Sequence, residues 1–226
     1  MRNRHLVFIV SAVVMAQAAT CFAAGIDIKP VPFPMAKSPA KSELFAAVKD
    51  LNRKLTTDAS ECGGDYRSRA AVLFDTASIF SVEVSVSEYC GGPYPVDDIS
   101  PVVFDAVTGK RYSPLSLYRA GWQGGIDGPV KWRTDIRNAI KKRLVLSAKT
   151  IHDGGECSSV IQGDKAGDSA SAIDAAKLGL GRGGLYVYPE PAHVVQACYK
   201  TVVLPYASVR QYLNRAEASR IGWMEP

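Results

Sequence analysis

Ile79-Phe80-Ser81-Val82-Glu83-Val84-Ser85-Val86-Ser87-Glu88-Tyr89 is the stretch on which the fold turns. Val82, Val84 and Val86 alternate with Glu83, Ser85 and Ser87. Successive strand side chains point to opposite faces, so this period of two puts valines on a core and polar groups in water. Upstream, Arg69 to Phe74 reads as a second strand, joined to the first by the turn Asp75-Thr76-Ala77-Ser78. In such a hairpin paired positions sum to about 153, which sets Cys62 opposite Cys90 or Gly91.

That register organises the cysteines. Cys62, Cys90, Cys157 and Cys198 remain once the N-terminal segment with Cys21 is set aside, and an even count in an exported chain predicts two disulfides. The hairpin pairs Cys62 with Cys90, and elimination pairs Cys157 with Cys198. Each bridge contributes ~2 to 4 kcal/mol through the denatured chain. The sequence has no CxxC or HxxxH spacing, so no metal and no cofactor is predicted.

Outward from the hairpin the layout is mixed. Pro101 to Asp105 is a shorter apolar strand closed by the turn Val107-Thr108-Gly109-Lys110. Ser38-Pro39 starts a helix with Leu44, Val48, Leu51 and Leu55 at helical spacing, one stripe to pack on a sheet. Gly128-Pro129 opens another, with Trp132, Ile136, Ile140 and Leu144 on one face, ending at His152-Asp153-Gly154-Gly155. Its other face is basic, with Lys131, Arg133, Arg137, Lys141, Lys142 and Arg143. A loop runs on to Gly184, Leu185 to Tyr188 and Thr201 to Leu204 are strands, and Pro205 starts a last helix through Val209, Tyr212 and Leu213. The pattern predicts an α+β fold, an antiparallel sheet with helices packed on one face and two disulfides, not a βαβ series.

The N-terminus sets the compartment. Arg2, Arg4 and His5 precede an apolar run from Leu6 to Ala19 and small residues to Ala24, the layout of a signal peptide over residues 1–23, cleaved after Ala23. Lipidation at Cys21 is the rival reading, but Thr20 and Ala18 make a poor lipobox. The expected location is periplasmic or secreted, with no transmembrane segment in the mature chain, because no later stretch reaches the ~20 apolar residues a span needs. Residues 24–41, with Pro30, Pro32, Pro34 and Pro39, form an extended arm detached from a single domain over 42–226. Taking Arg2 and Arg4 off the 27 basic residues leaves 25 against 22 acidic ones, a mature net charge of about +3, too mild for a nucleic-acid partner.

Four segments sharpen this picture. They are Val86-Ser87-Glu88-Tyr89-Cys90-Gly91-Gly92-Pro93-Tyr94-Pro95, Val103-Phe104-Asp105-Ala106-Val107-Thr108-Gly109-Lys110, Leu115-Ser116-Leu117-Tyr118 and Leu204-Pro205-Tyr206. In this order they resemble the RsiV-like domain family, whose strand ends in a Gly-Gly-x-His-Pro-like turn, followed by a Phe-Asp-x-x-Thr-Gly-Lys strand end. The resemblance covers about Asp65 to Leu213. Tyr94 stands where the family turn carries His, so no imidazole role carries over. Members are extracytoplasmic domains of anti-sigma factors that sense lysozyme by contact, or accessory domains of peptidoglycan-acting enzymes. The resemblance implies a protein partner of that kind, a lysozyme or another wall-acting enzyme, and a role as inhibitor or immunity-type factor.

The candidate contacts are Tyr89, Tyr94, Asp97 and Asp98 around the turn Gly91 to Asp98, since tyrosines on a disulfide-fixed turn give large contact area at small entropic cost. If Tyr94 instead caps the core, it is structural. Arg137, Lys141 and Lys142 are the candidates for an anionic surface, although a solvated helix face explains the same letters. The chain is read as a binder rather than an enzyme: its mature histidines are His152 and His193, and it has no GxSxG elbow. An envelope protein with a glycan-binding or structural role is the first alternative, a hydrolase using His152 or His193 the second. Gly179 to Gly184 precedes a strand and opens no helix, which rules out a phosphate cradle.

Overall fold

A computed structural model of the chain describes residues 25–34, 41–118, 134–150, 156–162 and 169–223. Ser38-Pro39, the start of the second predicted helix through Arg133, and His152 lie outside them, as does the signal segment. The α+β architecture is present, with seven strands and six α-helices among the described residues.

The first sheet has the order β1-β2-β3-β4: β1 (Ile26–Ile28), β2 (Asp65–Asp75), β3 (Ile79–Tyr89) and β4 (Val96–Asp105). The β2–β3 ladder runs from Asp65↔Tyr89 to Val72↔Val82, one residue off the predicted register, with a bulge between Val72 and Phe74. Cys62 is not on that ladder. It is the last residue of α1 (Ser42–Cys62), whose end is set by Gly63 in the left-handed region at φ 66°, a usual helix C-cap. The Cys62–Cys90 bond forms all the same, because α1 lies along the sheet and delivers Cys62 beside the end of β3, with a Cα separation of 4.6 Å.

β4 begins five residues before the predicted strand, and Pro101 sits inside it, which an edge strand tolerates because one side needs no ladder bond. Residues 25–34 of the arm expected to be detached are packed instead. β1 pairs in parallel with β2, Val31 is buried, and the Asn52 side chain brackets the Val31 backbone, accepting from its N–H at 2.7 Å and donating to its carbonyl at 3.1 Å.

A second, antiparallel sheet has the order β5-β6-β7: β5 (Lys177–Gly181), β6 (Gly184–Tyr188) and β7 (Val202–Leu204). The long loop expected before Gly184 therefore holds β5 and two short helices, α3 (Glu156–Gln162) and α4 (Ser169–Asp174). Glycine density hid β5. Gly179 is small because Pro101 of β4 presses on it, where an added Cβ would meet the proline ring carbon at 2.9 Å. The last predicted helix divides into α5 (Tyr206–Val209), a 3-10 turn (Arg210–Tyr212) and α6 (Arg215–Arg220), the last capped by Asn214.

The two faces of β3 meet different neighbours. Phe80, Val82 and Val84 pack with Val102 and Phe104 beneath Leu44, Val48 and Leu55 of α1. The opposite face was expected in water, yet near the turn it meets the second sheet. Ser81 is fully buried and its hydroxyl accepts from the Leu180 N–H at 3.3 Å, while Tyr188 Oη donates to Glu83 at 2.7 Å. Ile79 and Val103 join Leu180, Leu185, Leu204 and the buried stripe Ile136, Ile140 and Leu144 of α2 (Thr134–Ala148) in the larger core. Hence the strands divide into two layers rather than one.

Candidate functional site

Burial changes steadily along the first sheet. β3 is buried from Ile79 to Val82 and loosens toward Tyr89, and β4 is exposed from Val96 to Ile99 and buried from Val102 to Phe104. The second sheet covers only the buried half. Beyond its edge the polar face of β2, β3 and β4 opens into a cleft of about 1210 Å³.

The floor of the cleft consists of two cross-strand rows. Arg67 pairs with Ser87, which pairs with Asp97, and Arg69 pairs with Ser85, which pairs with Ile99. One lip is the turn leading into β4, with Tyr94, Pro95 and Val96. The facing lip is the segment from Tyr188 to Thr201, with Pro189, Pro191, Gln196 and Lys200. Each lip is stapled. Cys62–Cys90 anchors the first, four residues before Tyr94, and Cys157–Cys198 anchors the second to α3, two residues after Gln196. Gln196 Nε2 donates to the Asp97 carbonyl, a strut between the lips.

Charge is handled unevenly. Arg69 is engaged by Asp27 of β1, and this hydrogen bond holds the Asp27 carboxyl below its ordinary range. Asp98 accepts from Ser100 at 2.6 Å and lies 3.5 Å from Lys177, which also pairs with Glu190 at 2.7 Å. Half-burial alone would lower the Lys177 pKa, but the hydrogen bond to Glu190 and the Asp98 carboxylate outweigh it and raise it. Arg67, Lys200 and the Asp97 carboxylate have no hydrogen-bond or close ion-pair partner among the described residues. Burial raises the Tyr188 hydroxyl far above the usual phenol range, with the Glu83 bond acting in the same direction. It stays a donor.

The predicted contacts divide accordingly. Tyr94, 69% exposed, lines the cleft and is no cap on the core, and Asp97 and Asp98 lie on β4 rather than in the turn. Tyr89 is exposed but lies outside the cleft lining. The basic helix face is elsewhere. Arg137 of α2 is bound by both carboxylate oxygens of Asp174 in α4, leaving Lys141 half-buried and Lys142 exposed. His193 opens the 3-10 turn His193–Cys198. No helix among the described residues is long and apolar enough to cross a membrane, and no metal-binding group occurs among them.

Arg67 and the Tyr188–Thr201 lip were missed. A signal for Arg67 existed, since it stands one strand period before Arg69, the residue at which the strand was expected to begin. The facing lip carries no such signal, because its role arises only when β6 and β7 stack on the first sheet.

No family model and no curated protein sequence matches the chain. Solved structures do. In fold, the chain resembles a DUF3298 family protein from Pseudomonas aeruginosa. The TM-score is 0.51 at 12% identity, and the match covers 84% of each chain. A DUF3298 family member from Bacteroides fragilis aligns over 75% of this chain and 64% of its own length, at 13% identity and TM-score 0.41.

Proposed function

We propose that the protein is a periplasmic or secreted binding module, exported by cleavage after Ala23, that uses the stapled cleft to recognise a cell-wall-acting protein. The observation that carries this reading is the pair of disulfides, one behind each lip, on either side of an open cleft. Lips fixed before contact lose little conformational freedom on binding, which is how pre-organised recognition surfaces gain affinity. Disulfides also suit an oxidising compartment. Exposed apolar groups of the cleft, Tyr94 and Val96 on the lip and Ile99 on the floor, give the contact area that interface cores require.

The resemblance to RsiV-like domains supplies the partner class, and the fold shared with a DUF3298 protein is compatible with it. A lysozyme inhibitor or immunity-type factor is the sharpest form. Many lysozymes are strongly basic, and a mature chain at about +3 gains no long-range steering toward them. The unpartnered Asp97 carboxylate on the β4 lip offsets this locally. Chemistry by this chain forms no part of the reading.

The test is capture followed by kinetics. Immobilised full chain is expected to retain a lysozyme or amidase from a defined mixture of wall-acting enzymes and to lower its activity, and Tyr94→Ala is expected to lose both. Retention of glycan strands with no protein retained would transfer the cleft to the envelope-glycan reading. Hydrolysis of peptidoglycan by the chain itself would replace the binding reading altogether.

A further inference from the structure

We infer that the floor of the cleft binds a short zwitterionic peptide of about three residues, its carboxylate taken by Arg67 and its ammonium by Asp97. The inference rests on the cleft being a binding site and names a ligand of its own, which shares Asp97 with the protein contact proposed above and adds Arg67. Six charged side chains line the cleft. Three of them, Arg69, Asp98 and Glu190, are engaged by Asp27 and Lys177, which lie outside the lining. The other three are Arg67, Asp97 and Lys200.

Arg67 and Asp97 occupy the two ends of one cross-strand row with Ser87 between them. Two strand spacings separate their Cα atoms, roughly 10 Å. No hydrogen bond or ion pair joins the two side chains, and salt screens their attraction, since the Debye length is about 8 Å at physiological ionic strength. A ligand that satisfies both carries opposite charges at a similar separation. The terminal ammonium and carboxylate of an extended tripeptide are about 10 Å apart. Ser87 between them and Ser85 in the next row offer hydroxyl donors and acceptors to the peptide amides, and the tyrosine and proline walls leave room for small side chains. Lys200 on the facing lip balances the carboxylate that Lys177 leaves uncompensated between Asp98 and Glu190, so the cleft suits a ligand with no net charge.

Isothermal titration calorimetry of the full chain with Ala-Ala-Ala tests this, alongside N-acetyl-Ala-Ala-Ala and the tripeptide C-terminal amide. Capping either end is expected to weaken binding about tenfold or more, the usual worth of a charge-assisted contact. Arg67→Gln is expected to abolish the discrimination against the amide and keep that against the acetylated peptide, and Asp97→Asn the reverse. Both residues are exposed, so unchanged melting temperatures keep the comparison clean. Equal binding of capped and free peptides, variants that leave the discrimination intact, or no heat with about 10 mM tripeptide would each overturn the inference. A chain that captures a wall-acting protein but ignores the tripeptide loses this inference alone.

Discussion

The same three strands, β2, β3 and β4, end in two different ways. Around the turn between Asp75 and Ile79 the sheet is closed. Ile79, Phe80 and Ala106 are fully buried, Thr76 Oγ1 donates to the Ile221 carbonyl at 3.2 Å, and the Trp223 indole donates to the Gly181 carbonyl at 3.0 Å. Charges there are paired: Arg220 bridges Glu217 at 2.7 Å and Asp105 at 3.5 Å, and Tyr112 donates to Glu217 at 2.9 Å. At the other end the strands are exposed, three charged groups on the cleft have no hydrogen-bond or close ion-pair partner among the described residues, and covalent bonds do the holding. One sheet thus has an end closed by burial and pairing and an end left open, and residues that break local pairing rules gather at the open end, where the proposed function places recognition.

The comparison breaks if large truncations cost the same at both ends. Phe80→Ala removes a fully buried ring between α1 and β4, so urea unfolding is expected to show a loss of about 3 to 5 kcal/mol. Tyr94→Ala at the open end is expected to stay within about 0.5 kcal/mol of the parent. Similar losses for the two would make the turn a structural element and remove it as a contact site.

The staples offer the next largest effect. Replacing Cys62 and Cys90 together by serine is expected to destabilise the chain by ~2 to 4 kcal/mol in chemical denaturation. Hydrogen exchange is expected to rise first in residues 90–97, because Cys90 anchors that lip and few buried contacts replace it. Uniform acceleration across β3 and α1 would mean that the bond stabilises the closed end instead, and the division of labour would fail.

These two ends also differ in how far the sequence discloses them. Period-two valines announced β3, the helical stripe Leu44, Val48, Leu51 and Leu55 announced α1, and both disulfide pairings came out as counted, although Cys62 reaches Cys90 from the end of α1 and not from the hairpin register. All of these are local patterns reinforced by burial. β5 was silent because Gly179 and Gly181 carry no side chains to display a period, their smallness being demanded by Pro101 and Tyr186 pressing from other elements. The cleft was half legible. Tyr94, Asp97 and Asp98 stand in one short stretch, whereas Arg67 and Lys200 reach it only through strand pairing and the stacking of two sheets. Polar serines read as facing water turned out to face a second sheet near the turn and open space beyond it, a distinction set by where β5 to β7 stop.

Binding sharpens the comparison at intermediate size. Once a wall-acting partner is in hand, Tyr94→Ala is expected to weaken it by ~1 to 3 kcal/mol in calorimetric titration, in the range of an aromatic hot spot. Arg220→Met at the closed end is expected to leave that affinity unchanged. Equal losses from both variants would show that the two ends are coupled rather than separate.

Acid titration gives the smallest effect and tests the closed end directly. Two carboxyls there titrate below their ordinary values of 4.5 and 3.8. For Glu217 the main cause is the Arg220 hydrogen bond; for Asp105, burial pulls upward but is outweighed by the Thr108 and Val107 N–H groups and the Thr108 hydroxyl. A carboxyl held lower in the folded chain than in the unfolded one binds fewer protons when folded, so its stabilisation is complete above the unfolded value and drains away as pH falls through the folded one. Melting temperature is therefore expected to be flat above about pH 5 and to decline below it. Arg220→Met removes the chief cause at Glu217 but leaves the Thr108 and Val107 donors on Asp105. It is expected to cost ~0.2 to 1 kcal/mol near pH 7, in keeping with a partly exposed ion pair, and to make the acid decline shallower without abolishing it. An unaltered acid slope in that variant would assign the whole decline to Asp105 and its turn, and would reduce the Arg220 bridge to a surface contact with no part in closing this end of the sheet.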